Sequence, residues 1–339
     1  AFTNAGITTG SGETLKTFER VRTTGADGTG TGTGTIDLRG EKVIMENYSA
    51  KTLGHLSILA GVSTINSSFG PDNVAGGGDD ISASAGQAYS SAAADSIYDL
   101  SAASINIETK GGLPLIGVVS DSQGIGQSGG STLEILSSGQ VDAKTDGNVH
   151  LTSVAGSALL VGLIDAGTNP VTLVGNANVT DTGTDSATDI IATTLTINDG
   201  AGGTAGTITL DTAVTSLNLN GGVVKIHDGD SVDISSITAT SLDLLTDGAI
   251  TDSGAVAVND LAKFNSTGKA ITLGDGTTAN FGTLDFAGSA VTITESSDMM
   301  IAESEATGAL ALASSNNKIE QSGRIDAIST SSFNSGANV

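Results

Sequence analysis

The pentapeptide Ile250-Thr251-Asp252-Ser253-Gly254 has three close relatives within the same chain. They are Ile125-Gly126-Gln127-Ser128-Gly129, Val179-Thr180-Asp181-Thr182-Gly183 and Ile319-Glu320-Gln321-Ser322-Gly323. Each reads as a β-branched apolar residue, any residue, Asp or Gln, a small hydroxyl residue and glycine. The four copies recur at irregular but similar spacing. Alternating runs flank them, such as Leu242-Asp243-Leu244 before the third copy and Val256-Ala257-Val258 after it. A recurring unit too short to bury its own apolar face constrains the chain to a solenoid, in which each step is covered by its neighbours.

Composition points the same way. Apolar residues make up 38% of the 339, but aromatics only 3%, with no Trp. A wide globular core would be starved of large side chains, whereas a narrow stack of Val, Ile, Leu and Ala is well supplied. The 47 glycines, in turns such as Asn198-Asp199-Gly200, Asp228-Gly229-Asp230 and Gly274-Asp275-Gly276, break the chain into short strands. Only three prolines interrupt backbone pairing. Asn-Gly and Asp-Gly turns also suit hairpins, which makes an antiparallel sandwich the structural rival. The number of strands, the scarcity of polar strand faces and the repeated unit favour parallel coils. Roughly 20–24 residues per coil puts about three coils in each long repeat. The expected fold is therefore an all-β parallel β-helix, or β-solenoid.

Three regions follow from local texture. Residues 1–51 form a distinct N-terminal segment, a head that caps or docks: six Lys/Arg balance six acids, and Gly28 to Thr35 is a strict Gly-Thr alternation. Within it Leu15, Phe18 and Val21 recur at helical spacing, which slightly favours a helix over a strand there. Residues 52–104 are transition coils with a Gly/Ser/Ala-rich surface insertion at about 70–97. Residues 105–339 carry the solenoid repeats. The net charge of −24 lies entirely beyond residue 51. So acidic a body gives a nucleic-acid backbone no cations to displace its counterions, and it repels anionic membrane surfaces. No apolar run approaches the length of a membrane span. The absence of cysteine leaves the redox compartment open.

Ala249-Ile250-Thr251-Asp252-Ser253-Gly254-Ala255-Val256-Ala257-Val258 and Lys269-Ala270-Ile271-Thr272-Leu273 resemble the repeats of filamentous-haemagglutinin-type giant secreted proteins of bacteria. The resemblance covers about residues 105–339. It implies a right-handed β-helix, an extracellular or bacterial cell-surface location, and a role in adhesion or matrix structure.

Four kinds of site merit weighing. In the repeated units, Ile125, Val179, Ile250 and Ile319 are expected to point into the core. The hydroxyls of Ser128, Thr182, Ser253 and Ser322 are expected to bond turn backbone, with Gly129, Gly183, Gly254 and Gly323 at positive-φ corners. A displayed ladder of Asp and Gln tips is the functional alternative for the same units. Lys225-Ile226-His227-Asp228-Gly229-Asp230 with Asp233 gathers base, histidine and carboxylates, as a polysaccharide-cleaving β-helix would. Asp228, Asp230 and Asp233 also offer hard oxygens for calcium, in which case the ion would stabilise and not catalyse. Gly126-Gln127-Ser128-Gly129-Gly130 fits the letters of a hydrolase nucleophile elbow but lacks the helix that motif requires. The reading is a non-enzymatic structural solenoid without cofactor, a fibre or filament subunit whose partners are copies of itself stacked head to tail. An adhesin segment binding glycan or protein is the runner-up, and a polysaccharide-active enzyme the third.

Overall fold

Backbone pairing in the computed structural model is parallel from coil to coil. The structure describes the strands and Gly126 before residue 133, then residues 133–153, 156–175, 177–181, 186–198, 206–266, 268–315 and 318–336. There is no helix among the described residues. The chain divides into two units, residues 1–178 with 182–184, and residues 179–181 with 185–339.

In the first unit the first four coils each contribute three short strands. Ala5–Thr8, Thr14–Lys16 and Val21–Arg22 pair in parallel with Ile36–Gly40, Lys42–Met45 and Ala50–Lys51. Those pair in turn with His55–Ala60, Ala88–Ser90 and Leu100–Ala102. The next coil, Ser104–Thr109, Gly124–Ile125 and Leu133–Ser137, continues all three rows. The helix expected around Leu15 is corrected to strands at 14–16 and 21–22, because partners on the adjacent coil outweigh local spacing. The N-terminal segment thus pairs like the coils after it. The insertion also needs redrawing. Asn66–Ser68 and Ile81–Ala83 form an antiparallel hairpin, while Ala88–Ser90 belongs to a coil.

The second unit shows how the core is built. Val232, Ile250, Ile271, Val291 and Leu310 lie in register, one per coil, and none is more than 2% exposed. The row advances by about 20 residues per coil, at the short end of the expected range. The reason is the economy of the bends: only Ser235 and Ser236 separate the buried Ile234 from the buried Ile237. A second row runs Ile237, Val256, Ala279, and a third Val224, Leu242, Ala262, Leu284, Ile301. Alternation inward and outward along each strand, the period-2 geometry of a pleated chain, sets these rows.

Aromatic residues enter where the rows leave room. Leu244, Phe264 and Phe286 stack in register, and both phenylalanines are wholly buried. Phe281 meets Phe264 edge to face, with ring centroids 5.5 Å apart. Three of the chain's seven phenylalanines thus fill one short stretch of core.

Ile250→Asp places a carboxylate in a column with apolar side chains above and below. Lost burial and desolvation together should cost several kcal/mol. Thermal unfolding should shift down sharply and proteolysis should begin within neighbouring coils. Unchanged melting and protease resistance would contradict the register.

Candidate functional site

At the bends the ladder breaks, and backbone N–H groups there need acceptors. In the repeated unit the solution is explicit. The N–H groups of Ser253 and Gly254 both donate to the carbonyl of Ile234 in the preceding coil, at 3.0 and 3.2 Å. Ser322 and Gly323 do the same with the carbonyl of Ile301, at 2.7 and 3.3 Å. Two copies of the pentapeptide, far apart in the sequence, therefore build the same corner.

The apolar residue of each copy faces inward. Ile125, Val179 and Ile250 are buried, paired with Val149, Ile208 and Ile271. Ile319 pairs with Met299 but is only half-buried. The hydroxyls divide their work. Ser253 Oγ donates to Asp233 at 2.6 Å, whereas Ser322 Oγ donates to the Ile301 carbonyl at 3.2 Å. Ser128, Gly129, Thr182 and Gly183 lie outside the described residues.

The glycine expectation is corrected. Neither Gly254 nor Gly323 has positive φ; a Cβ on Gly254 would instead overlap the carbonyl oxygen of Ser235, and one on Gly323 would crowd the Glu303 nitrogen. Close approach of adjacent coils, not a left-handed turn, demands glycine there. Positive φ occurs at Gly126 and Gly274, where φ is 72° in both.

Carboxylates make further ties across the chain. Asp252, the central residue of the pentapeptide, accepts the N–H of Gly274 at 3.0 and 3.1 Å and the hydroxyl of Thr277, both on the following coil. Asp142 accepts the N–H of Leu163 at 2.9 Å, and Asp189 that of Asp211 at 2.7 Å. Wholly buried Glu295 accepts the N–H of Phe281 at 2.9 Å and the hydroxyl of Ser297 at 2.7 Å. In each case an acid ties one stretch of the chain to another.

The Lys225–Asp233 cluster resolves into separate parts. Asp228 is fully buried, and its carboxylate takes the Thr212 hydroxyl at 2.7 Å and the N–H groups of Val214 and Asp230 at 3.0 and 2.9 Å. Asp233 is occupied by Ser253. The three aspartates do not converge, and no set of three or more His, Asp and Glu side chains among the described residues is placed to hold a metal ion. His227 meets partners that sequence proximity does not suggest. Its Nδ1 lies 2.9 Å from Asp211 Oδ1, and its Nε2 4.0 Å from Asp247 Oδ1. One aspartate comes about a coil earlier in the chain and the other about a coil later. Coil length was the missing signal.

Burial sets the electrostatics. It pushes Asp189 up to about 7; the Asp211 N–H opposes this, while the carboxyls of Asp181 and Asp211 reinforce it. Burial also raises Asp228, against the pull of Thr212, Asp230 and Val214, and raises Glu295 against Phe281 and Ser297. On the outer face Lys225, Asp243, Lys263 and Asp285 alternate in sign in register. Burial raises Asp285, with Lys263 pulling it down.

A family model described as repeats of unknown function (DUF5649) matches residues 221–286 and 288–339, about a third of the chain. The first match runs through the row Val224, Leu242, Ala262, Leu284, so one such repeat spans about three coils. No curated protein and no solved structure matches the chain. The chain is a β-solenoid repeat protein, and its C-terminal coils are similar to that family's repeats.

Asp189 makes stability depend on pH. Its folded pKa, about 7, stands above the usual aspartate value, so the native state holds a proton that the unfolded chain releases. That contribution is complete below the unfolded pKa and is lost as pH rises through the folded one. Melting should therefore occur at higher temperature at pH 5 than at pH 8. Asp189→Asn, which mimics the protonated acid, should flatten the dependence in that window. Equal slopes for parent and variant would contradict the assignment.

Proposed function

We propose that the protein is a non-enzymatic structural solenoid, a subunit of an extracellular fibre or filament at a bacterial surface, assembled head to tail. The observation that supports this is the use of the polar residues. Asp142, Asp189, Asp228, Asp233, Asp252 and Glu295 all accept hydrogen bonds from stretches of the chain 14 to 22 residues away, so the acids that resemble a binding ladder or a catalytic set are engaged in tying the chain to itself. A chain stabilised by nearest-neighbour contacts between like coils gains rigidity along one axis, which suits a fibre. The resemblance of Ala249–Val258 to secreted bacterial repeats supports the location. The high negative charge keeps such a chain soluble before assembly.

Electron micrographs of the purified protein should show ordered rods longer than one molecule. The same preparation should retain no glycan on an array and release no reducing ends or unsaturated sugars from acidic polysaccharides. Monomers that bind a glycan would favour an adhesin, and turnover of a polysaccharide would establish an enzyme in its place.

A further inference from the structure

Four charged side chains stand in one column on an outward face of the second unit. Lys225, Asp243, Lys263 and Asp285 follow one another in register, one per coil, so their signs alternate. Elsewhere Lys144, Lys318 and Arg324 each close on an acid, at 3.3, 3.0 and 2.6 Å. Among the described residues, none of the four in the column is in an ion pair or a side-chain hydrogen bond. The column sums to zero charge in a chain of net −24. Burial raises the pKa of Asp285; Lys263 pulls it down, and Asp243 and Glu303 push it up again. A second cation facing Asp285 would be well placed.

Beside this column, two residues earlier on each strand and therefore on the same face, runs another. Val223 pairs with Ser241, and Leu261 with Thr283, while Ser241 and Leu261 precede the paired Leu242 and Ala262. Large apolar and small hydroxyl side chains thus alternate, and Val223 and Leu261 are 51% and 41% exposed.

A column that alternates in sign over four coils is complementary to its own reverse. When a second copy lies face to face with its coils running the other way, Lys225 meets Asp285 and Asp243 meets Lys263, each twice by two-fold symmetry. The neighbouring column fits the same arrangement. Val223 meets Thr283 and Leu261 meets Ser241, so each large side chain faces a small one. With the coils running the same way in the same register, lysine would meet lysine.

We infer that this face is an interface between two copies of the chain, laid side by side with their coils antiparallel and held by Lys225–Asp285 and Asp243–Lys263 pairs across a two-fold axis. The contact is isologous and closes at two copies. It goes beyond the filament reading and does not depend on it. Three rises of about 4.8 Å separate Lys225 from Asp285, so the surface is short and the pairing is weak.

Sedimentation equilibrium of the full chain, of Lys225→Asp, of Asp285→Lys and of an equimolar mixture of the two variants tests this. The parent should gain mass between micromolar and millimolar concentration. Each variant alone sets like charges face to face at both ends of the column, and should need at least about tenfold more protein to reach the same average mass. The mixture should recover the parent's curve, because the two introduced side chains then face each other, as do the native Lys225 and Asp285. Lys225→Asp adds two negative charges and Asp285→Lys removes two, so weakening of both separates the contact from an effect of net charge. Head-to-tail growth is common to all four samples, and differences among them report the lateral contact alone. Lys225 is exposed, so circular dichroism and melting of its variant should match the parent. Should Asp285→Lys fail to fold, Asp243→Lys with Lys263→Asp supplies the same test at the centre of the column. Variants that associate as the parent does overturn the interface and leave the filament standing. No recovery in the mixture overturns the antiparallel pairing. A parent that stays a monomer throughout overturns the interface and the filament together.

Discussion

A parallel coil leaves its bends without the reciprocal hydrogen bonds that close a hairpin, and the structure depends on how those bends are satisfied. Along the strands the answer is the ladder itself, as in the row from Val232 to Leu310. At the bends a carbonyl of the preceding coil takes two N–H groups, as Ile234 does from Ser253 and Gly254, or a carboxylate reaches to a neighbouring bend, as Asp252 does to Gly274. An unsatisfied buried N–H costs about 1–3 kcal/mol, so corners left open at every turn would outweigh the modest stability of a narrow core. The acids are a structural component of the stack as well as a source of charge.

That dual use explains a tension in the composition. Asp189, Asp228 and Glu295 bridge separate stretches of the chain from buried positions, and burial raises the pKa of each. Glu295 is the extreme case: it is wholly buried, with one oxygen bonded to Phe281 and Ser297 and the other without a partner. Burial raises its pKa, while the Phe281 N–H and the Ser297 hydroxyl favour the charged form. Exposed acids such as Asp247 remain on the outside, where repulsion discourages lateral association.

Much of this architecture is legible in the sequence because a period-2 pattern and a recurring pentapeptide encode it locally. Ile250 reads as core and is core; Val256, Ile271 and Val291 follow from alternation. What is illegible depends on what lies one coil away. Asp211 and Asp247 flank His227 only once the chain has wound back on itself, and nothing in the linear spacing announces them as its neighbours. Gly254 is glycine because Ser235 passes close by, not because of its own φ, and sequence cannot separate those reasons. Leu15 and Val21 match helical spacing, yet their strands are set by pairing with Lys42–Met45 and Ala50–Lys51. The Lys225–Asp233 segment looks like one cluster in the sequence, but Asp228 turns inward to Thr212 and Asp233 bonds Ser253.

The most direct measurement of the central claim is native-state hydrogen exchange on Asp252→Ala. Asp252 accepts the Gly274 N–H and the Thr277 hydroxyl of the next coil, so its removal leaves that bend without an acceptor while the core column is untouched. The account predicts lost protection at Gly274 and its neighbours, with overall stability lower by about 1–3 kcal/mol. Protection at Gly274 equal to that of the parent, with unchanged stability, would contradict the claim that carboxylates hold successive coils together.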